Sequence, residues 1–115
     1  MIRFTIYGQP VSKANSRRLA RFGTRPASIK SAKALKYASD VSLQAPKLAT
    51  LLAGRLRVTA RVFYASERPD LDLSVLWDSL QGKIYTNDRQ LREMHLHHAV
   101  DKLNPRTELE FEEIG

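Results

Sequence analysis

Three aspartates are notable in this chain for their spacing and their surroundings. The run Arg68-Pro69-Asp70-Leu71-Asp72 places two carboxylates two residues apart, and Asn87-Asp88 adds a third. Residues 1–68 carry 14 Lys and Arg against two acidic residues, whereas residues 69–115 carry five against ten. A basic surface attracts phosphate, and a carboxylate cluster beside it repels phosphate unless it holds a divalent cation. The pattern indicates metal-dependent chemistry on a phosphodiester; the alternative is a basic N-terminal half followed by a solvated acidic tail.

The spacing of Asp70 and Asp72 favours a pair of metal ligands. In an extended segment, side chains two residues apart leave the same face. The pair also precedes a predicted helix, where oriented backbone N–H groups favour negative charge. We therefore expect a preformed pair of oxygen ligands suited to Mg²⁺, which binds one or two carboxylates together with water and phosphate. The alternative is that one aspartate only caps the helix, although capping and metal binding can share a carboxylate.

Composition limits the class of protein. At 115 residues the chain is long enough for one domain with a single modest core. The absence of cysteine excludes disulfides and thiolate zinc sites, and no apolar run approaches the roughly 20 residues that span a bilayer. The first residues alternate like a strand and do not form a signal peptide, so we expect a cytoplasmic protein. A net charge of +7 indicates a polyanion partner, nucleic acid above all.

The N-terminal half is predicted to contain a strand over Ile2 to Ile6, a long polar connection over 8–28 and a helix capped by Ser28 that runs to Pro46. A short helical piece is then predicted to end at Gly54, followed by a strand over 56–64 with one apolar and one largely basic face. The connection carries several cations: Lys13, Arg17, Arg18, Arg21 and Arg25. The apolar positions of the first helix are Ile29, Ala32, Leu35, Ala38 and Val41, and its lysines Lys30, Lys33 and Lys36 are assigned to a solvated face.

The C-terminal half contains the clearest helical pattern. Leu73, Leu76, Trp77 and Leu80 recur at helical spacing after Asp72, and Gly82 supplies the C-terminal cap, so Trp77 is predicted to lie in the core. Two further strands are predicted over 91–98 and 107–114, joined by a turn around Asn104-Pro105. The result is an α+β fold: a single domain with a mostly antiparallel sheet of about four strands, packed with two main helices.

Three histidines lie close together on the first of these strands. On a strand, His95 and His97 share one face, while His98 takes the other. A structural zinc site usually needs four ligands, often thiolates, and no such set lies at a convincing spacing. We therefore predict histidines on the sheet surface.

Three motifs in the second half of the chain carry a family resemblance. They read Arg68-Pro69-Asp70-Leu71-Asp72, then Asp78-Ser79-Leu80-Gln81-Gly82, then Asn87-Asp88-Arg89-Gln90-Leu91. In this order they resemble the core of the RusA-type Holliday-junction resolvases, which are phage-associated endodeoxyribonucleases. Their recurring pattern is Asp-Leu-Asp-Asn-Leu, a helix ending in Asp-Ala-Leu-Asn-Gly, and Asp-Asp-x-Gln-Val opening a strand. The opening strand, residues 10–15 and the arginine-rich connection are similar to that family as well.

The resemblance implies a function and a site. It implies one RusA-like nuclease domain over residues 1–115, acting with Mg²⁺ as a structure-selective endodeoxyribonuclease. The substrate would be four-way DNA junctions in recombination and repair, and the assembly a homodimer. Position by position, Asp70, Asp72 and Asp88 fall on the three metal-binding, catalytic aspartates of the family.

The sequence also departs from the family pattern. Leu73 replaces the asparagine after the second aspartate, and the helix that follows is about two residues shorter. Asn87 replaces the first member of the Asp-Asp pair and still offers a neutral oxygen ligand. The lysine in the first turn of the helix is missing, its place taken by Ser74, Val75 or Leu76. Such a lysine would stabilise charge that develops at the scissile phosphate.

The missing lysine raises the question of which cation replaces it. Lys83 lies past the far end of a helix about 15 Å long, so its ammonium is poorly placed to reach Asp70 within one subunit. We therefore predict that Lys13, and after it Arg17, provides the positive charge. The residues predicted to contact DNA are Lys13, Arg17, Arg18, Arg21 and Arg68.

Two other functions fit the sequence. A non-catalytic DNA-binding protein of the same fold would bind junctions without nicking them. A basic RNA-binding protein would act through shape and charge, independently of the aspartates. The sequence contains no fingerprint of an RNA-recognition module, which disfavours the second.

Overall fold

The computed structural model describes residues 1–12, 17–22 and 25–115, and for 17–22 and 25–30 it describes the backbone alone. Within these ranges the chain forms strands and helices with the following bounds: β1 Ile2–Tyr7, β2 Arg17–Phe22, β3 Arg25–Lys30, α1 Ala32–Gln44, β4 Leu56–Tyr64, α2 Ser74–Leu80, β5 Leu91–Val100 and β6 Arg106–Glu113. A single 3₁₀ turn over Asp88–Gln90 precedes β5.

Four of the strands form one sheet in the order β1-β6-β4-β5. The pairs β1–β6 and β6–β4 are antiparallel, whereas β4 and β5 run parallel. Parallel neighbours need a crossover, and here the crossover contains α2. The predicted α+β fold with a mostly antiparallel sheet of about four strands is confirmed.

The core lies on one face of the sheet. Along β4 the alternate residues Leu56, Val58, Ala60, Val62 and Tyr64 are all buried, as the alternating pattern predicts. Side chains of α1 and α2 complete the same cluster, Trp77 among them, which confirms its predicted place. The opposite face carries ion pairs: Arg57 binds Glu93 at 2.9 Å and Glu112 at 2.6 Å, joining three adjacent strands.

Helix α1 begins later than predicted. The Oγ of Ser31 accepts a hydrogen bond from the Ala34 amide at 3.1 Å and caps it, whereas Ser28 lies in β3. The buried positions are Ala34, Tyr37 and Val41, and Leu35 is 56% exposed. Of the predicted series, Val41 is buried as expected but Ala32 and Leu35 are exposed, and the reason is geometrical. Residues spaced by three alone drift about 60° around a helix at each step, whereas alternating steps of three and four stay on one face.

The connection before α1 is also more structured than predicted. Residues 17–30 were placed mostly in a polar loop, yet β2 and β3 pair there as an antiparallel hairpin, from Arg17 opposite Lys30 to Phe22 opposite Arg25. The predicted loop holds only for part of residues 8–28. The two strands form a sheet of their own and do not join the four-stranded sheet. Their polar sequence therefore gave no signal that predicted a hairpin.

The helical piece predicted to end at Gly54 is absent from the described structure of residues 45–55. Its backbone is bonded elsewhere: the Leu48 and Leu52 amides donate to the carbonyls of Lys83 and Ile84, at 3.1 and 2.8 Å. The Gln90 side chain donates to the Leu52 carbonyl at 2.9 Å. Pairing with the segment after α2 therefore replaces the helical hydrogen bonds.

The elements around the crossover follow the prediction closely. Helix α2 covers seven residues, shorter than predicted, and Gly82 follows it with φ of 83°, a left-handed conformation that suits a glycine. Strands β5 and β6 are confirmed: β5 ends two residues later than predicted, and β6 is shifted by one residue toward the N-terminus. Neither α1 nor α2 is long and apolar enough to cross a membrane, and the same holds for all of the chain that the structure describes.

Candidate active site

The segment between β4 and α2 is held in place by hydrogen bonds to its backbone carbonyls. The Tyr64 hydroxyl donates to the Asp70 carbonyl at 3.0 Å, and the Asp72 amide donates to the same oxygen at 2.9 Å. The second bond closes a three-residue turn centred on Leu71. The segment is therefore not extended, and the same-face argument used to predict the Asp70 and Asp72 pair does not apply to it as stated.

Asp72 bonds the first residue of α2 from one position before the N-cap, which is Leu73. Its Oδ1 accepts from the Ser74 amide at 3.0 Å and from the Ser74 hydroxyl at 2.7 Å. These bonds satisfy a first-turn donor of α2 and fix the carboxylate at the start of the helix. The anticipated role is therefore met in part: Asp72 is not the N-cap, but two donors from the first residue of α2 fix the orientation of its carboxylate.

Asp70 opens into a cleft with several cations. The cleft has a volume of about 640 Å³, and its lining includes Lys33 and Lys36 of α1 together with Arg68. Lys36 binds Asp40 at 3.1 Å. Among the residues that the structure describes, the side chains of Lys33, Arg68 and Asp70 make no ion pair or hydrogen bond. The cleft therefore combines one uncommitted carboxylate with two uncommitted cations.

A second cleft lies on the other side of the same segment. It has a volume of about 470 Å³ and is lined by residues 67–71 and by 98–100 of β5. Arg68, Pro69 and Asp70 line both clefts, so they form the ridge between them. The ridge is bonded to β5, since Nε2 of His98 lies 2.9 Å from the Pro69 carbonyl.

Asp88 lies at the opposite end of β5. It opens the 3₁₀ turn three residues before Leu91, and its amide donates to the Gln81 side chain at 2.9 Å. The ridge contacts His98, and the strand from Leu91 to His98 spans about 23 Å at 3.3 Å per residue. Within the described part of the chain, no three or more His, Asp or Glu residues are grouped so that they could hold a metal ion. Asp70 and Asp72 are thus neighbours in one turn, whereas Asp88 lies at the other end of β5.

The comparison with known families agrees with these motifs. The family model for endodeoxyribonuclease RusA matches residues 7–112, nearly the whole chain. The chain belongs to the RusA endodeoxyribonuclease family. No curated protein matches it. The RusA match spans the ridge, both clefts and the turn that carries Asp88.

The other predicted site residues of this RusA chain fall in four places. Lys13 lies outside the described residues, and Arg17, Arg18 and Arg21 lie on β2, where the backbone alone is described. Arg68 lies on the ridge. The Asn87 side-chain oxygen, considered above as a neutral ligand, accepts from the Arg89 amide at 2.8 Å and caps the 3₁₀ turn.

Lys83 is hydrogen-bonded to α1 and lines neither of the two clefts beside the ridge. Its ammonium donates to the Ser42 carbonyl near the end of α1 at 2.7 Å. This contact agrees with the geometrical argument against Lys83 as the replacement for the missing RusA lysine, and it gives the ammonium a structural role.

Sequence reasoning missed Lys33, Lys36, Tyr64 and His98. The two lysines were assigned to a solvated face, although their spacing of one helical turn places both on one side of α1. Tyr64 is buried at the end of β4. Burial above all raises its pKa; a hydrogen bond with the Asp72 backbone opposes this, and the Asp72 and Asp70 carboxylates add to it, so the hydroxyl stays protonated. No sequence signal marks Tyr64 or His98, because their contacts with the ridge form only in the fold.

Proposed function

We propose that this RusA-family chain is a Mg²⁺-dependent, structure-selective endonuclease that resolves four-way DNA junctions in recombination and repair. The observation that carries the proposal is the cleft in which the Asp70 carboxylate lies with the uncommitted cations Lys33 and Arg68. Cations attract the DNA backbone, and a carboxylate among them is unfavourable for phosphate binding unless it also binds a cation.

The donor set fits Mg²⁺. Asp70 and Asp72 supply hard oxygen ligands, and Mg²⁺ needs only one or two carboxylates besides water and phosphate oxygens. When bound, the ion would supply Lewis-acid chemistry and lower the pKa of a coordinated water. The chain contributes the rest: Ser74 orients the Asp72 carboxylate, and Lys33 and Arg68 hold the DNA phosphates against the ridge. Lys13 remains the predicted source of additional positive charge at the scissile phosphate.

The position of Asp88 supports the proposed homodimer. Because about 23 Å of β5 separates it from the ridge, a site that contains all three aspartates needs Asp88 from a second copy. A twofold dimer would supply it reciprocally and create two equal sites. Two sites suit a four-way junction, whose resolution needs paired nicks in opposing strands.

The function is tested with a labelled four-way junction and Mg²⁺. Asp70→Asn and Asp88→Asn should each abolish nicking while junction binding in a gel shift stays intact or strengthens, because the charge that repels phosphate is removed. Glu113→Gln is the matched control, since this exposed carboxylate at the end of β6 lies away from the ridge. Near-normal cleavage by either aspartate variant would refute the assignment. Binding without nicking by the unchanged protein would support the non-catalytic alternative.

Mixing the two inactive variants tests the shared site. In a dimer of one Asp70→Asn and one Asp88→Asn chain, one site carries both substitutions and the other carries neither. Random mixing should therefore restore about a quarter of the wild-type sites. If each subunit holds a complete site, no mixture will nick the junction.

A further inference from the structure

We propose that His98 and Tyr64 together position the Asp70–Asp72 turn for metal binding, which makes His98 a positioning residue of the reaction. The inference rests on the proposed function and adds to it two residues that contact neither DNA nor the metal. It follows from hydrogen bonds at consecutive carbonyls on the ridge, those of Pro69 and Asp70.

The two side chains act as one unit. Their rings lie 4.6 Å apart between centroids, tilted by 30°, on adjacent strands of the sheet. Tyr64 donates to the Asp70 carbonyl at 3.0 Å, and His98 contacts the Pro69 carbonyl at 2.9 Å. A carbonyl only accepts, so Nε2 of His98 must carry the proton.

The bonded carbonyls belong to the turn that sets the two carboxylates. The Asp70 carbonyl accepts from both the Tyr64 hydroxyl and the Asp72 amide, which uses both of its lone pairs. The segment from residue 65 to 73 has no helix or strand of its own, so its other backbone groups supply no regular ladder. Because Tyr64 and His98 of the sheet already hold this turn in place, cation binding loses less conformational entropy in ordering it.

Of the three histidines on β5, His98 contacts the ridge because of the strand face on which it lies. In the parallel register His98 pairs with Val62 of β4, whose side chain is buried on the same face as Tyr64. His97 precedes it on the opposite face and is exposed, so it does not contact the ridge. His97→Ala is therefore a matched control at the neighbouring position of the same strand.

The first experiment measures amide hydrogen exchange of Asp72 in the metal-free protein, and it needs no nuclease activity. His98→Ala should accelerate this exchange about tenfold, the effect of removing one hydrogen bond. His98→Gln should restore slow exchange, because its amide can donate to the Pro69 carbonyl. His97→Ala should exchange like the unchanged protein. Unchanged exchange in His98→Ala, or an equal effect of His97→Ala, overturns the proposal.

The second experiment titrates Mg²⁺ in junction nicking. His98→Ala should raise the Mg²⁺ midpoint several-fold and leave KM for the junction unchanged, with His98→Gln intermediate or normal. Tyr64→Phe should act in the same direction. A change in KM with no change in the Mg²⁺ midpoint would assign His98 to DNA contact and refute the positioning role. If the unchanged protein does not nick at all, the proposed function fails, whereas the exchange experiment still decides on the turn.

Discussion

Replacing Tyr85 by Phe should destabilise the protein by a predictable amount. Tyr85 is fully buried, and its hydroxyl donates to the Trp77 carbonyl of α2 at 2.7 Å. Burial raises the pKa of Tyr85 well above its usual value, so the hydroxyl keeps its proton and remains a donor. Gln81, whose amide would ordinarily bond that carbonyl in a continuing helix, donates to Asp78 instead.

The size of the effect follows from this arrangement. The variant loses one buried hydrogen bond and leaves a carbonyl at the end of α2 without that donor, which costs about 2 kcal/mol. For a domain of this size, the loss corresponds to a decrease in Tm of roughly 10 °C. In urea, where m is about 2 kcal/mol/M, the midpoint should fall by about 1 M.

Tyr37→Phe provides the matched control. Tyr37 is also buried, but within the described part of the chain its hydroxyl meets no partner at hydrogen-bonding geometry. Removing it should change the free energy of unfolding by less than about 0.5 kcal/mol. The test is to measure the free energy of unfolding of both variants and of the unchanged protein in urea. Equal stability of Tyr85→Phe and the unchanged protein would mean that the Trp77 carbonyl does not depend on this donor.

Three further predictions concern the cations. Binding to junction DNA should be strongly salt dependent, and Arg17→Ala/Arg18→Ala should flatten the slope of log K against log salt by roughly 0.9 for each phosphate that is no longer neutralised; an unchanged slope would mean that β2 does not touch DNA. Lys13→Ala should lower the single-turnover cleavage rate beyond its effect on affinity, whereas Lys83→Ala should not; the reverse would assign the charge to Lys83. Lys33→Ala should weaken junction binding about three- to tenfold in a titration, and equal affinity would exclude α1 from the interface.

The sequence predicted well wherever structure follows from a local period. The strict alternation of β4 and the helical spacing from Leu73 to Leu80 each determine which side chains are buried, and both were confirmed. Helix α1 was predicted with the wrong face because an apolar series spaced by three was read as a stripe. The parallel pairing of β5 was not predicted, since a period of two does not specify the direction of the neighbouring strand.

In the candidate site, too, the sequence predicted what is local along the chain and missed what depends on long-range packing. Asp70 and Asp72 are close in sequence, so any fold keeps them near one another, and the family motifs identified them. The positions of Lys33 and His98 depend on which elements pack beside the crossover, and that information is not local. The separation of Asp88 from the ridge likewise follows from the strand direction of β5 rather than from any motif.

The place of β6 in the sheet has a consequence for how this protein is made. It is the last strand in the chain, yet it lies between β1 and β4 and supplies the only sheet partner of β1 among the described residues. During synthesis, β1 stays unpaired until residues 106–113 have left the ribosome. The pairing of β1 with β6 then joins residues from nearly opposite ends of the sequence. Such long-range closure is slow compared with helix or hairpin formation. A chain truncated before β6 therefore loses the strand that joins β1 to β4 and cannot complete this sheet.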